Sequence, residues 1–258
     1  MAGSVWVEVF GPLARVTLSH PGKFNAMSRA MWLQLRSVFE ALQQDRRLRA
    51  VLVQGEGGHF CAGGDISEYA EFRFAETSLR AFHEDEVWGG LQAMLACDLP
   101  LFAQIEGNCM GAGIEIASCC DLRFAAESAR FGAPIAKLGF PMAPREAAVV
   151  MRAVGELTAR EMLLTAALLD ATEMKQRGFL NQVCKAADLP AAVEVCVNRV
   201  CSLAPAAARL NKQSIRHIAQ ALHAQTAIDL VANAYLYADW PEHREGIAAF
   251  LEKRVAQF

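Results

Sequence analysis

Residues 100–125 read PLFAQIEGNCMGAGIEIASCCDLRFA, and this segment contains a complete strand–helix–strand pattern. The apolar run over 100–106 predicts a strand, with Pro100 at its start because proline cannot donate a hydrogen bond inside a sheet. The glycine-rich residues that follow open an apolar helix over 111–120, and residues 121–125 again have the pattern of a strand. A strand, a helix and a second strand in this order predict a parallel sheet with a crossover helix.

The N-terminal side of the chain continues this alternation of strands and helices. Residues 5–10 and 13–19 predict two short strands around a Gly-Pro turn, and residues 50–54 predict a third strand. Between them, Ser28 is a predicted N-cap for an amphipathic helix that ends near residue 44, because apolar residues recur along one face. The N-terminal half is therefore predicted to be an α/β structure.

Two further regions of the chain, one before the 100–125 segment and one after it, are predominantly helical. Residues 66–96 predict mostly helix, with Thr77 as a second N-cap. Seven further helices are predicted from Pro144 onward, at 144–154, 158–165, 172–177, 188–202, 205–220, 223–238 and 243–256. We expect an α/β core over residues 1–190, and a helical region over 191–258 that packs on the core or on a neighbouring subunit.

The composition excludes several classes of protein. Of the 258 residues, 53% are hydrophobic and 21% are charged, which excludes disorder, and the net charge of −3 argues against a nucleic-acid binder. No apolar run reaches the ~20 residues that span a bilayer, and the N-terminus lacks the pattern of a secretory signal. The eight cysteines include no C-x-x-C pair and no metal-ligand spacing. We expect a cytoplasmic protein with reduced thiols, no metal site and no membrane partner.

Two glycine-rich turns place backbone N–H groups where little side chain blocks access to them. The first turn, 62–65, follows a strand, and the second, 111–113, lies where the chain enters a helix. The start of a helix has unpaired N–H donors and the positive end of the helix dipole. Donors from two such turns can converge on one oxygen and form an oxyanion hole for a thioester carbonyl. The alternative is that these glycines only permit close packing of helix against sheet.

Glu115 is the candidate acid/base group beside the second turn. It follows Ala112 by three residues and therefore shares a helix face with it. Its neighbours in sequence are apolar, so the helix is predicted to be buried, and burial raises the pKa of a carboxyl group towards the range useful for proton transfer. The alternative is a structural glutamate that accepts hydrogen bonds from loop amides.

Four segments in this order carry a resemblance to a known family. They are HPGKFNAM at 20–27, FCAGGD at 60–65, the segment 107–121, and REGIAAFLEKR at 244–254. Together they resemble the enoyl-CoA hydratase/isomerase family, whose members are also called crotonases. The resemblance implies an α/β fold with a crotonase-like ββα superhelix core and a C-terminal helical region that builds a homotrimer or a dimer of trimers. It also implies an acyl-CoA thioester substrate and no separate cofactor, because coenzyme A enters as part of the substrate.

The resemblance also assigns roles to individual positions. Gly64 and Ala112 would donate the two oxyanion N–H groups, and Glu115 falls on the first of the two glutamates of hydratases. The other implied substrate-binding residues are Lys23, Phe24 and Ala26 along the coenzyme A groove, Ala62, Asp65 and Ile66 at the adenine and pantetheine, and Gly111, Pro134 and Ile135.

One departure from the family pattern affects the predicted chemistry. The position of the second hydratase glutamate is Ile135, which cannot transfer a proton. Isomerases of the family often keep only that second glutamate, so neither pattern is complete. Two other places could supply the missing group: the charged helix segment 83–86, and the pair Arg145 and Glu146. Each also has a simpler interpretation, a solvated helix face for the first and a first-turn salt bridge for the second.

These observations lead to one predicted function and a set of alternatives. The chain is predicted to be an acyl-CoA enzyme, most simply an enoyl-CoA hydratase, that uses Glu115 and the two backbone donors. Isomerisation, decarboxylation and hydrolysis of an acyl-CoA remain open, as does a non-catalytic module that binds acyl-CoA or a partner protein. A peptidase is disfavoured because neither turn contains a serine. With isoleucine at 135, crotonyl-CoA hydration is expected to be slower by ~10²–10⁴-fold than in a two-glutamate hydratase.

Overall fold

The computed structural model describes residues 2–220 and the single positions 241, 245, 252, 254, 255 and 257. This part of the chain contains nine strands and nine α-helices. The strands are β1 (Ser4–Phe10), β2 (Leu13–Ser19), β3 (Ala50–Gly55), β4 (Leu101–Ile105), β5 (Asn108–Met110), β6 (Leu122–Ala126), β7 (Arg130–Gly132), β8 (Leu168–Asp170) and β9 (Gln182–Cys184).

The helices follow the predicted order. They are α1 (Arg29–Gln44), α2 (Glu76–Ala81), α3 (Trp88–Ala96), α4 (Ala112–Cys119), α5 (Pro144–Val154), α6 (Glu156–Thr165), α7 (Ala171–Gln176), α8 (Leu189–Cys201) and α9 (Pro205–Gln220). Three 3-10 turns, Ile66–Glu71, Pro134–Leu138 and Ala186–Asp188, and one π-helical turn, Phe82–Val87, complete the regular structure in the described part.

The main sheet has six strands in the order β1-β2-β3-β4-β6-β9. The first two strands form an antiparallel hairpin, and every later neighbour in the sheet is parallel. The predicted parallel sheet with crossover helices is therefore confirmed. Helix α4 is the crossover between β4 and β6, so its N-terminus lies beyond the carboxyl end of β4.

A second, three-stranded sheet is absent from the sequence prediction. Its order is β5-β7-β8, with β5 and β7 parallel and β8 antiparallel to β7. Each of these strands has only three residues. Such short strands cannot show the alternation of apolar and polar residues that identifies a strand in a sequence. The same holds for β9, the edge strand of the main sheet.

Apolar side chains cover both faces of the main sheet. On one face, α1 buries Met31, Leu35 and Phe39, which belong to a large cluster that also contains residues of α3 and α4. On the other face, α8 packs Leu189 and Val193 in a separate cluster with aromatic side chains of β4 and β6. The sheet is therefore buried on both sides, which is typical of parallel sheets.

Several predicted helix boundaries are confirmed. The Ser28 hydroxyl accepts a hydrogen bond from the Met31 N–H at 3.3 Å and caps α1. Helix α5 has the predicted bounds, 144–154. The predicted helix 223–238 lies outside the described residues, and 243–256 is described only at single positions.

Three predicted helix starts are wrong. Thr77 lies inside α2, which begins one residue earlier, and the hydroxyl that bonds to the backbone there is that of Ser78. Thr158 lies inside α6, which begins directly after Gly155, a residue whose φ of 82° separates it from α5. Thr172 lies inside α7, which is capped by Asp170 through a capping box with Glu173.

The predicted division of the chain at 190/191 stays a prediction. In the structure α8 crosses that position while it packs on the sheet. No single helix of the described residues is long and apolar enough to cross a bilayer. Within the same residues, one pair of consecutive helical segments, Ala186–Cys201 and Pro205–Ala219, has that length and composition when taken together, and the two segments are bent by 104° relative to each other.

Candidate active site

The two glycine-rich turns are joined by direct backbone hydrogen bonds. The Cys61 N–H donates to the Asn108 carbonyl at 2.8 Å, and the Met110 N–H donates to the Cys61 carbonyl at 2.9 Å. A Cβ atom added to Gly113, the second residue of α4, would lie 2.5 Å from the Cys61 carbonyl oxygen, so glycine fits best at this position. The close approach of helix and loop therefore depends on this glycine, as the packing interpretation of the sequence proposed.

Gly113→Ala is expected to lower the free energy of unfolding by about 1–3 kcal/mol, because the new methyl group overpacks against backbone. Ser118→Ala in the same helix is the matched control. The Ser118 hydroxyl is buried without a hydrogen-bond partner among the described residues, so its removal is expected to leave stability unchanged or raise it. Urea unfolding of the two variants checks this. Equal stability of Gly113→Ala and the wild type would show that the loop shifts freely.

A third segment, 24–27, fixes the first turn from its other side. The Met27 N–H donates to the Gly63 carbonyl and the Asp65 N–H donates to the Met27 carbonyl, both at 2.8 Å. Gly63 has a φ of 115°, which favours glycine, and a Cβ atom on Gly111 would lie 3.6 Å from the Gly63 Cα. The two turns are therefore held in contact with each other by the backbone.

This arrangement leaves two backbone donors unused. In the part of the chain that the structure describes, the N–H groups of Gly64 and Ala112 donate to no protein acceptor. Ala112 is the first residue of α4, where N–H groups lack partners within the helix. Both residues line one cavity of about 350 Å³, together with Glu115. The sequence-predicted pair of donors and the predicted carboxylate therefore meet at one place.

Glu115 is buried, with 6% of its surface exposed. Burial, and then the nearby negative charge of Glu146, raise the pKa of its carboxyl group well above the usual value. No described residue donates a hydrogen bond to its side chain. The hydrogen bonds from loop amides that a purely structural glutamate would need are therefore not formed among these residues.

A second ionisable pair lines the same cavity. Glu146, in the first turn of α5, is only 4% exposed, and its Oε1 lies 2.7 Å from Nδ1 of His83. Arg145, its neighbour in sequence, instead pairs with the more exposed Glu84 at 3.3 Å. The simple interpretation of Arg145 and Glu146 as a first-turn salt bridge is therefore wrong, and so is that of His83 as part of a solvated face.

The remaining walls of the cavity are largely apolar. The 3-10 turn 134–138 brings Pro134 and Ile135 to the cavity, as the resemblance implies. Two aromatic side chains of the wall, Tyr69 and Phe140, contact each other with their ring centres 6.0 Å apart. The Arg73 guanidinium packs against both rings, 4.4 Å from the centre of Tyr69 and 3.8 Å from that of Phe140. Burial raises the pKa of Tyr69 to about 12, so its hydroxyl stays neutral.

The structure brings most, but not all, of the predicted site residues into the cavity wall. Those that line it are Ala62, Gly64, Ile66, Gly111, Ala112, Glu115, Pro134 and Ile135. Lys23, Phe24, Ala26 and Asp65 lie beside it on the segment 23–26 and at the end of the first turn. Their predicted contact with coenzyme A stays a prediction.

The Asp65 carboxylate is engaged within the protein. It accepts hydrogen bonds from the Lys23 Nζ at 2.6 Å and from the Ser67 N–H at 3.2 Å, and it caps the 3-10 turn that follows. Although burial opposes the effect, these bonds hold its pKa below the usual value. Asp65 therefore ties the first turn to the segment around Lys23.

Sequence reasoning missed Tyr69, Arg73 and Met142, which also line the cavity. No local pattern distinguishes them, because Tyr69 lies in the short 3-10 turn 66–71 and the other two lie outside helices and strands. Among the described residues, no group of three His, Cys, Asp or Glu side chains is placed to hold a metal ion.

Two free backbone donors beside a buried carboxyl group of raised pKa are the features that an enzyme needs in order to stabilise an oxyanion while a proton moves. Comparison with known proteins agrees with this class. The enoyl-CoA hydratase/isomerase family model matches residues 10–258. The chain therefore belongs to the enoyl-CoA hydratase/isomerase family, and the resemblance noted in the sequence is confirmed.

Individual relatives extend over nearly the whole chain. The chain is 32% identical over 245 residues to the 2,3-dehydroadipyl-CoA hydratase of Escherichia coli strain K12, which covers 94% of this chain and 93% of that protein. It is 30% identical over 253 residues to the short-chain-enoyl-CoA hydratase of Clostridium acetobutylicum, at 97% and 95% coverage. The crystal structure of an enoyl-CoA hydratase/carnithine racemase from Magnetospirillum magneticum superposes with a TM-score of 0.93 at 31% identity, covering 100% and 96% of the two chains. The predicted crotonase-like fold is thereby confirmed.

Proposed function

We propose that the protein is an enoyl-CoA hydratase that adds water across the double bond of a 2-enoyl-CoA thioester. The observation that carries this proposal is the convergence of the free N–H groups of Gly64 and Ala112 with the buried Glu115 in one cavity. A thioester oxygen that accepts both N–H groups would gain negative charge when water attacks Cβ. Relatives named as enoyl-CoA hydratases support the choice of substrate class.

The raised pKa of Glu115 suits a proton donor to Cα of the enolate. A carboxyl group in water is ionised at neutral pH, whereas burial and the charge of Glu146 keep this one protonated to higher pH. The backbone donors hold the developing enolate oxygen without reorganisation, since they are fixed by the two joined turns. Coenzyme A enters only as part of the substrate, and the proposal needs no separate cofactor.

A non-catalytic binding module is the less favoured alternative. A buried carboxyl group without a hydrogen-bond partner lowers stability, and a module that only binds CoA esters gains nothing from it. A hydrolase that uses a cysteine nucleophile is also disfavoured. Burial raises the pKa of the thiol of Cys61, the residue before the first turn, to about 12, and a thiol that stays protonated is a poor nucleophile. Isomerisation and decarboxylation use the same enolate and are distinguished from hydration by experiment.

A steady-state assay over a panel of CoA esters tests the proposal. The panel contains crotonyl-CoA and longer 2-enoyl-CoA esters, 3-enoyl-CoA esters, and malonyl-type esters, and binding is measured in parallel by calorimetry. We expect hydration of at least one 2-enoyl-CoA, with the saturated ester as an inhibitor. Turnover of 3-enoyl or malonyl-type esters alone would assign isomerisation or decarboxylation instead. Binding without any turnover would favour the module.

The coenzyme A moiety is proposed to lie along the segment 23–26. Lys23 and Phe24 are exposed there, next to Ala62 and Ile66 at the edge of the cavity. The Ala62 N–H already donates to the Phe24 carbonyl at 3.0 Å, so this segment and the first turn form one continuous edge. A cationic side chain beside an exposed aromatic ring suits a ligand that carries phosphates and an adenine.

The oligomeric state and the compartment are also part of the proposal. The exposed apolar side chains of α9, Ile215 at 68% and Ile218 at 66%, support burial against another subunit in a homotrimer or a dimer of trimers. Light scattering is expected to give three or six times the monomer mass of 28.1 kDa. A mass near 28.1 kDa would contradict this assembly. The eight cysteines are free thiols, which is compatible with a cytoplasmic location.

A further inference from the structure

A second carboxylate, that of Glu146, lines the cavity, although the loop around Ile135 supplies none. Glu146 is 4% exposed, lines the same cavity as Glu115 and the two free N–H groups, and influences the charge state of Glu115. Its two oxygens have different surroundings. Oε1 bonds to His83, whereas Oε2 has no hydrogen bond to a described residue. One oxygen of a buried, cavity-lining carboxylate is therefore left without a hydrogen-bond partner in the described part of the chain.

His83 determines how this carboxylate is presented. The Nδ1 of His83 lies 2.7 Å from Oε1. In the role inferred below, Glu146 acts as an ionised carboxylate, which can only accept, so Nδ1 would carry the hydrogen of this bond. His83 belongs to the π-helical turn Phe82–Val87, and Glu146 belongs to α5, so the bond joins two separate elements across the cavity wall. A hydrogen bond between rigid elements fixes the orientation of the free Oε2.

We infer that Glu146, oriented by His83, is the second acid/base group of this enzyme and takes the part that Ile135 cannot perform. This inference rests on the proposed hydration of a 2-enoyl-CoA. Glu146 is its acid/base residue, and His83 is a positioning residue that acts through Glu146. The wild-type enzyme then has two carboxyl groups at the reacting carbons. The slow hydration of crotonyl-CoA that Ile135 predicts is therefore expected only in variants that lack Glu146.

The proton transfers balance with these two groups. Ionised Glu146 accepts a proton from water as the water oxygen bonds to Cβ. The electron pair of the Cα–Cβ double bond moves into the thioester, and the enolate oxygen accepts the N–H groups of Gly64 and Ala112. Protonated Glu115 then donates its proton to Cα. The product is the 3-hydroxyacyl-CoA, and transfer of one proton from Glu146 to Glu115 restores the starting state.

Two substitutions separate this inference from its alternatives. Glu146→Gln keeps the size of the side chain and an oxygen that accepts from His83, but it cannot take a proton from water. We expect kcat for hydration to fall by about 10²–10⁴-fold, with little change in the affinity for the saturated ester. Exchange of the Cα protons of butyryl-CoA with D₂O needs the ionised form of Glu115 as the base and the backbone donors for the enolate oxygen, and it involves no step at Cβ. This exchange is expected to persist in Glu146→Gln and to be lost in Glu115→Gln.

The positioning role of His83 is tested by two replacements of different chemistry. The amide of His83→Gln can still donate to Glu146, whereas His83→Leu cannot. We expect the leucine variant to lose more of kcat than the glutamine variant, with KM nearly unchanged in both. Equal losses in the two variants would overturn the positioning role.

Glu84→Gln is the matched control for Glu146→Gln. Glu84 is a partly exposed carboxylate that pairs with Arg145 and so joins the same two elements as His83 and Glu146, but it does not line the cavity. This variant is expected to hydrate at the wild-type rate. If the wild type hydrates a 2-enoyl-CoA and the rate of Glu146→Gln lies within a few-fold of the wild-type rate, the inference about Glu146 fails and the proposed function stands. Loss of butyryl-CoA exchange in Glu146→Gln would also overturn the inference, because Glu146 would then exchange protons with Cα. If the wild type hydrates no 2-enoyl-CoA, both the proposed function and the inference fail.

Discussion

Glu115→Gln is expected to lower turnover of the true substrate by about 10²–10⁴-fold while the affinity for CoA esters changes little. Glutamine has the size and hydrogen-bonding capacity of glutamate but cannot exchange a proton. The proposed oxyanion donors are backbone groups of Gly64 and Ala112, so they survive the substitution and are expected to continue to hold the thioester. Steady-state kinetics on the best substrate of the panel, paired with calorimetric titration of the saturated ester, gives both quantities.

The contrary result for Glu115 is equally specific. Equal turnover by wild type and Glu115→Gln would show that the buried carboxyl group has no part in the reaction. A loss of CoA-ester affinity by the same factor as the loss of turnover would show that the substitution has disturbed the cavity. Glu84→Gln serves as the control here too, since it removes a carboxylate without changing the cavity wall.

The raised pKa of Glu115 also predicts a dependence of stability on pH that needs no substrate. Below the unfolded-state pKa of about 4.3, the group is protonated in both states and causes no loss of stability. As the pH rises from there through the raised folded-state pKa, the unfolded state binds fewer protons, and the wild type loses stability. Glu115→Gln lacks this loss. The free energy of unfolding of Glu115→Gln is therefore expected to increase relative to that of the wild type as the pH rises. A difference that decreases with rising pH would contradict a raised pKa of Glu115 in the folded protein.

Ala112→Pro is expected to lower kcat by about 10²–10³-fold, because it removes one of the two proposed oxyanion donors. Ala112 is the first residue of α4, a position at which proline is tolerated in helices because the N–H has no partner within the helix. The loss is therefore expected in the reaction more than in folding. Kinetics of 2-enoyl-CoA hydration measures the first, and a melting curve measures the second.

Glu156→Pro is the matched control for Ala112→Pro. Glu156 is the exposed first residue of α6, and like Ala112 it directly follows a glycine with positive φ, Gly155. It lies outside the cavity lining. Similar melting curves for the two variants, with activity lost only in Ala112→Pro, would assign the loss to the missing donor. Wild-type activity in a folded Ala112→Pro variant would show that this N–H does not hold the thioester oxygen.

The sequence predicts the central features of the site because they depend on local chemistry. Glycine-rich turns after strands indicate exposed backbone donors, and helical spacing places Glu115 on the face of Ala112. The cavity in which Gly64, Ala112 and Glu115 meet follows from these local signals together with the parallel sheet, which brings the two turns to the same edge.

The pair of His83 and Glu146 shows where local reasoning ends. The two residues are separated by 63 positions, and no spacing rule connects them. Their contact depends on where residues 139–143 place the start of α5 and on the π-helical turn before α3. Three-residue strands such as β5 and β7 are missed for a related reason, since their identity depends on pairing with distant residues and not on their own composition.

A crystal structure of the wild-type protein with butyryl-CoA, a saturated ester that cannot be hydrated, tests the central claim most directly. The account predicts a thioester oxygen at hydrogen-bonding distance, about 2.7–3.1 Å, from the nitrogens of both Gly64 and Ala112. It further predicts Cα and Cβ of the acyl chain between the carboxyl groups of Glu115 and Glu146. A thioester oxygen that accepts neither N–H group, or an acyl chain bound outside this cavity, would contradict it.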